Sequence, residues 1–257
     1  MKQKKWLTMA LGLVLTVLGV AMVWITRSAA LAEDASAVNT VLFALSLILT
    51  LAGILVFIMG VLPARKPVQV RTLSMAALFA ALCYIGFSYC KIDIPVGAEK
   101  TAFHLGNVFC VLAALFIGGF WGGMAGAVGM TIADLTTAYV TSAPKTFLLK
   151  LCIGLITGLV AHMVFRLNQE RERKVPLPVA TAVSCAAGMG FNVVADPLVG
   201  YFYKMYILGV PQEAASIWAK MGAVTTSVNA VVAVVTATVL YLALRPALKR
   251  SSLLPKV

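Results

Sequence analysis

From Thr101 to Ala133 the chain runs 33 residues without an Asp, Glu, Lys or Arg. As a single helix at about 1.5 Å per residue, that run would be about 50 Å long, against about 30 Å of bilayer hydrocarbon. It therefore has to turn back on itself. The reversal is expected at Gly118, Gly119, Gly122 and Gly123, where missing side chains allow both a tight turn and close helix contact. Two short helices follow from this reading, about His104 to Gly118 and about Gly122 to Tyr139. Asp134, Lys145 and Lys150 lie close together at their open ends.

The rest of the chain suits a lipid environment. With 61% hydrophobic and 12% charged residues among 257, it is an integral membrane protein rather than a soluble domain. A formal charge of +12 invites a nucleic-acid reading. However, the basic residues stand at the ends of apolar runs instead of on one polar face, which argues against a nucleic-acid partner. Cys83, Cys90, Cys110, Cys152 and Cys185 show no metal-ligand spacing, and they read as small packing residues.

Taken in order, three lysines at positions 2 to 5 precede an uncharged run from Trp6 to Ile25. Ala30-Leu31-Ala32 resembles a cleavage site, but the apolar core exceeds that of a signal peptide and a second span follows at Val38 to Leu62. A retained helix is expected. Pro63 and Pro67 bracket Arg65 and Lys66 as a linker, which divides the chain into a two-helix membrane extension over 1–66 and a six-helix domain over 67–257. Thr72 to Cys90 is the third span, and residues 91–100 read as a polar loop. After the paired helices come spans from about Pro144 to Phe165, Pro176 to Tyr206 and Ala214 to Leu244, with the charged loop NQERERK between the first two of these. The fold class is thus all-α, eight transmembrane helices in total.

Orientation follows from charge. Fourteen of the 21 Lys and Arg residues flank one side of these spans, which puts both termini in the cytoplasm of a bacterial cell and the loops at 91–100 and 139–145 outside. Counted at about 1.5 Å per residue from that side, Asp134, Lys150 and Asp196 fall in the outer half or at the outer boundary. Ionisable groups there are costly unless paired or wet, so they mark a site by default. Four-residue spacing sorts them into stripes: Gly188, Asn192, Asp196 and Gly200; Thr146, Lys150, Gly154, Gly158 and His162; Gly126, Met130 and Asp134. The expected outward pocket for a small solute is lined by Asn107, Asp134, Tyr139, Lys145, Lys150, Asn192 and Asp196. No phosphate loop and no H-E-x-x-H is present, so no catalytic role, resident cofactor or metal is expected, and inward movement needs an ion gradient or a partner.

FHLGN, the GGFWGGMAG turn, Asp134 and the PKTFLLK run together resemble the substrate-binding S component of energy-coupling factor transporters, over about Arg71 to Leu244. The resemblance implies a six-helix vitamin-binding core, here preceded by two extra transmembrane helices. It also implies a membrane-embedded coupling subunit and two ATPase subunits as partners. In that family small residues on the first core helix contact the coupling subunit, and Ala76, Ala77, Ala80 and Ala81 supply them here at four-residue spacing. Riboflavin, pantothenate, pyridoxine or a thiamine precursor would each suit the pocket. A stand-alone secondary transporter, with Asp134 or Asp196 as a proton or cation site, is the alternative.

Overall fold

A computed structural model describes residues 2–30, 39, 41–43, 45–50, 53, 56, 69–96, 99–168 and 175–251. The expected linker at Pro63 to Pro67 and most of the charged loop at 168–174 lie outside these residues. The chain divides into two compact units: Met1–Pro67 with Asp134–Pro144, and Val68–Ala133 with Lys145–Val257.

In the first unit, α1 (Lys2–Ala30) and α2 (Val41–Thr50) meet along small and hydroxyl residues. A Cβ on Gly19 would run into Thr50, and one on Gly53 into the backbone at Leu15 and Thr16. Thr16, Thr26 and Thr50 each return their hydroxyl to a carbonyl four residues back, so these three donors are matched in an apolar surround. Leu7, Leu11, Val14, Leu18 and Ile25 on α1 are exposed, as befits a lipid-facing stripe.

The second unit begins with α3 (Val70–Ser88) and continues into strands β1 (Lys91–Val96) and β2 (Glu99–His104), paired antiparallel with Lys91 opposite His104. The segment expected as a loop is therefore a hairpin. His104 correspondingly ends a strand instead of opening a helix. The signal was present in KIDIPV, where Ile92, Ile94 and Val96 alternate with Lys91, Asp93 and Pro95 at the period of a strand.

α4 (Gly106–Ile117) and α5 (Gly119–Leu135) follow, separated by Gly118 alone, whose φ of 87° permits the reversal. The other three glycines of the expected turn serve packing instead. A Cβ on Gly122 would fall on the backbone of Ala114, while Gly119 and Gly123 lie against Gly158 and Gly154 of α6 (Ala143–Leu159). These two glycine pairs set α5 and α6 antiparallel at backbone contact, the small-residue packing that lipid favours. α7 (Leu177–Phe202) packs on α6 through Gly188, against Thr157 and Ile153, and α8 (Gln212–Arg250) lies along α7. Single π turns at Val160–Val164 and Tyr203–Ile207 close α6 and α7. Four helical segments, Val70–Ser88, Val140–Val164, Leu177–Ile207 and Gln212–Arg250, are long and apolar enough to cross a membrane. Shorter apolar helices accompany them, and the chain is a multi-pass membrane protein.

At the centre lies α4, only 12 residues long and buried at every position except Phe109. Neighbours α3, α7 and α8 contact it, and Cys110 and Ala114 touch α5. The core is thus built around a helix that has almost no lipid-facing surface.

Candidate functional site

Helix registers decide which polar side chains share a level. α4 meets α5 at Ala114 with Gly122 and at Cys110 with Gly126; α5 meets α6 at Gly123 with Gly154; α6 meets α7 at Lys145 with Asp196; and α7 meets α8 at Asp196 with Thr226. Carried along each antiparallel pair at about 1.5 Å per residue, these registers bring Asn107, Lys150, Asn192 and Asn229 to within about one turn of the same depth. That depth lies near the hairpin end of the unit.

Asn107 and Asn192 are each 1% exposed, and their Oδ1 atoms accept no hydrogen bond among the described residues. Lys150 is 7% exposed, and its backbone carbonyl accepts from Cys110 Sγ at 3.7 Å. A buried amide oxygen without a donor costs about 1–3 kcal/mol. Two of them at one level mark a place where a polar ligand would repay desolvation with hydrogen bonds.

Beside this layer stands a clasp across three helices. Lys145 Nζ donates to Asp196 Oδ1 at 2.9 Å, and Thr226 Oγ1 donates to Asp196 Oδ2 at 2.9 Å. Gly200, one turn beyond Asp196, leaves room for the Lys145 side chain, whose Nζ would lie 3.3 Å from an added Cβ. The stripe Gly188, Asn192, Asp196 and Gly200 is thus a working face of α7: two glycines admit α6, and two polar residues meet the site and the clasp.

The hairpin is tied to α8 at the same end. Asn229 Nδ2 donates to the Ala102 carbonyl at 3.0 Å, Asn229 Oδ1 accepts from the His104 backbone N–H at 3.0 Å, and the hydroxyls of Thr101 and Thr225 are 3.0 Å apart. The His104 ring lies 4.6 Å from that of Phe87. Burial holds the His104 imidazole well below its ordinary range, at a pKa of about 3, with Lys150 adding to the shift and Asp196 opposing it. The ring is neutral at physiological pH.

The opposite end carries an aromatic cluster. Phe116 stacks between Tyr241, 4.9 Å away, and Phe79, 6.1 Å away. Asn168 donates to the Phe116 carbonyl at 3.3 Å and accepts from Tyr241 Oη at 3.2 Å, while His162 bonds the Ala114 carbonyl at 3.0 Å. Asn168, His162 and Arg245 each bond a backbone carbonyl at this end.

The family of ECF-type riboflavin transporter S components matches residues 67–246. The chain belongs to this family. No curated protein and no solved structure matches it.

Of the residues expected to line a pocket in this S component, Asn107, Lys145, Lys150, Asn192 and Asp196 lie in the second unit and near one another in depth. Asp134 and Tyr139 fall in the first unit; Asp134 is 1% exposed near the end of α5, and Tyr139 is half-buried. Thr226 and Asn229 were missed. Their signal was the cluster of Thr225, Thr226 and Asn229 on one side of an otherwise apolar helix. The four alanines divide between two faces of α3: Ala76 is buried and the Ala80 carbonyl meets Gly129 of α5, whereas Ala77 and Ala81 are exposed. Among the described residues no group of three His, Cys, Asp or Glu side chains is placed to hold a metal ion.

Proposed function

We propose that this S component captures riboflavin, or a flavin close to it, on the outer side of the bacterial cell membrane and passes it inward with an ATP-driven module. The observation that carries the reading is the buried layer of Asn107, Lys150 and Asn192, with two amide oxygens lacking donors, in a chain whose family is described by riboflavin transport. The chemistry is complementary. A flavin presents a flat ring with an N–H between two carbonyls and a chain of hydroxyls, so its donors suit the asparagine oxygens and its carbonyls suit Lys150. Lys145 and Asp196 frame the layer.

The module consists of a membrane-embedded coupling subunit and two ATPases, and α3 meets the coupling subunit through small residues. Both termini face the cytoplasm and the β1–β2 hairpin faces outward, an orientation supported by the excess of Lys and Arg at the opposite ends of the spans. The first 66 residues form an added two-helix extension to the six-helix core.

Native mass spectrometry of the purified protein, followed by riboflavin titration with flavin fluorescence as the readout, tests this reading. Retained flavin and saturable quenching are expected. A retained pantothenate, pyridoxine or thiamine precursor, or no response to riboflavin, would replace the proposed ligand. Reconstituted alone in liposomes, the protein should bind but not accumulate riboflavin; gradient-driven uptake by the lone chain would make it a secondary transporter.

A further inference from the structure

β2 ends on His104, and its backbone is held from the α8 side as a neighbouring strand would hold it. The single amide of Asn229 donates to the Ala102 carbonyl and accepts from the His104 N–H, both at 3.0 Å. Thr225, one turn earlier on α8, meets Thr101 at 3.0 Å. This fixes the backbone from which the His104 ring projects. The ring then packs on Phe87 at 4.6 Å with 59° between planes, which limits its rotation. Its Nδ1 is buried and makes no hydrogen bond among the described residues. His104 precedes Asn107 by three residues, and its backbone is bonded to Asn229, which shares the level of the asparagine layer. The charged groups that act on it are Lys150 from α6, Asp196 from α7 and Lys91 from β1.

We propose that His104 is a ligand-contacting residue that selects its ligand through a hydrogen bond at Nδ1, and that Asn229 is the positioning residue that aims it. The assignment rests on the flavin-binding reading above. A neutral imidazole beside Lys150 and the paired Asp196 adds a directional polar contact without adding charge. The ligand class it fits is an uncharged heterocycle carrying ring N–H, carbonyl or hydroxyl groups. A site that hydrogen-bonds such a group rejects analogues that lack it, because its own polar atom is then left buried and unmatched.

The test is riboflavin titration of the full chain in detergent, with flavin fluorescence as the readout and thermal stability measured alongside. His104→Phe keeps a ring against Phe87 and removes the nitrogen; His104→Asn returns a polar atom near the place of Nδ1. The Phe variant should weaken binding about tenfold or more with little change in Tm, and the Asn variant should restore affinity to within about threefold. His104→Ala serves the same comparison if the Phe variant fails to fold. Asn229→Leu should weaken binding in the wild-type background and have little further effect in the His104→Phe background, because both changes remove one contact. Wild-type affinity in the Phe and Ala variants, or independent addition of the Asn229 and His104 effects, overturns the assignment while leaving riboflavin binding intact. Absence of riboflavin binding by the wild-type protein overturns the flavin reading and this assignment together.

Discussion

Lys145 on α6 and Asp196 on α7 form an ion pair 2.9 Å long, and Thr226 on α8 holds the second carboxylate oxygen. The pair is mostly buried, with side-chain exposures of 16% and 21%. Both groups therefore depend on each other more than a surface pair does, and the carboxylate has its two oxygens engaged before any ligand arrives.

The first prediction concerns that dependence. Lys145→Met leaves Asp196 charged and partly buried with Thr226 as its remaining side-chain donor among the described residues, and should cost on the order of 2 kcal/mol of stability. Lys145→Met with Asp196→Asn removes both charges and should recover much of the loss. A thermal-melt double-mutant cycle checks it; equal losses in single and double variants would show that the pair is not coupled.

A second prediction separates the ligand layer from the clasp. Asn107→Ala, Asn192→Ala and Lys150→Met should each weaken riboflavin binding about tenfold or more, from about 1–3 kcal/mol per lost polar contact. Membrane insertion and monodispersity should be retained. If all three bind riboflavin as the unaltered protein does, the pocket lies elsewhere.

The glycines divide by what surrounds them. Gly123→Val and Gly158→Val push a side chain into backbone at the α5–α6 contact and should lower stability by about 1–3 kcal/mol or prevent accumulation altogether. Gly190 and Gly222 have nothing within 4 Å of an added Cβ. Gly190→Ala and Gly222→Ala should be neutral or should stabilise by up to about 1 kcal/mol, the helix-propensity gain. Tm in one detergent, variant by variant, checks the contrast.

The alanines of α3 give a fourth. Ala77→Leu with Ala81→Leu alters an exposed face and should abolish uptake in the assembled transporter while riboflavin affinity stays the same. Ala76→Leu enlarges a buried residue and should instead lower stability. Normal uptake by the Ala77 and Ala81 double variant would assign that face to lipid.

The spans and their packing were readable because membranes simplify the problem. A run of 33 uncharged residues cannot be one helix, and Gly118 is the only residue between α4 and α5. The α7 stripe was equally legible, since Gly188, Asn192, Asp196 and Gly200 repeat every four residues. What escaped was local or cross-chain. The hairpin was hidden by Pro95 and by charged residues that suggest a solvated loop, although the alternation in residues 91–96 was there. Asn229 was hidden because its partner is a backbone 125 residues away, and nothing in an apolar helix says which strand a lone amide will meet. The division of α5 between the two compact units, which separates Asp134 from Asn107, has no counterpart in residue spacing.

The brevity of α4 carries one more consequence, for how the protein is made. Twelve residues span about 18 Å, well short of the hydrocarbon thickness, and all but one of these side chains face other parts of the protein. Such a segment has neither the length nor the outward surface to settle in a bilayer alone, whereas with Gly118 reversing the chain it can enter together with α5 as one hairpin-shaped insert. A ribosome-release series with glycosylation reporters should accordingly show α4 uncommitted when the chain stops at Gly118 and committed once residue 135 has emerged, so that the site's central helix is fixed only together with the helix that follows it.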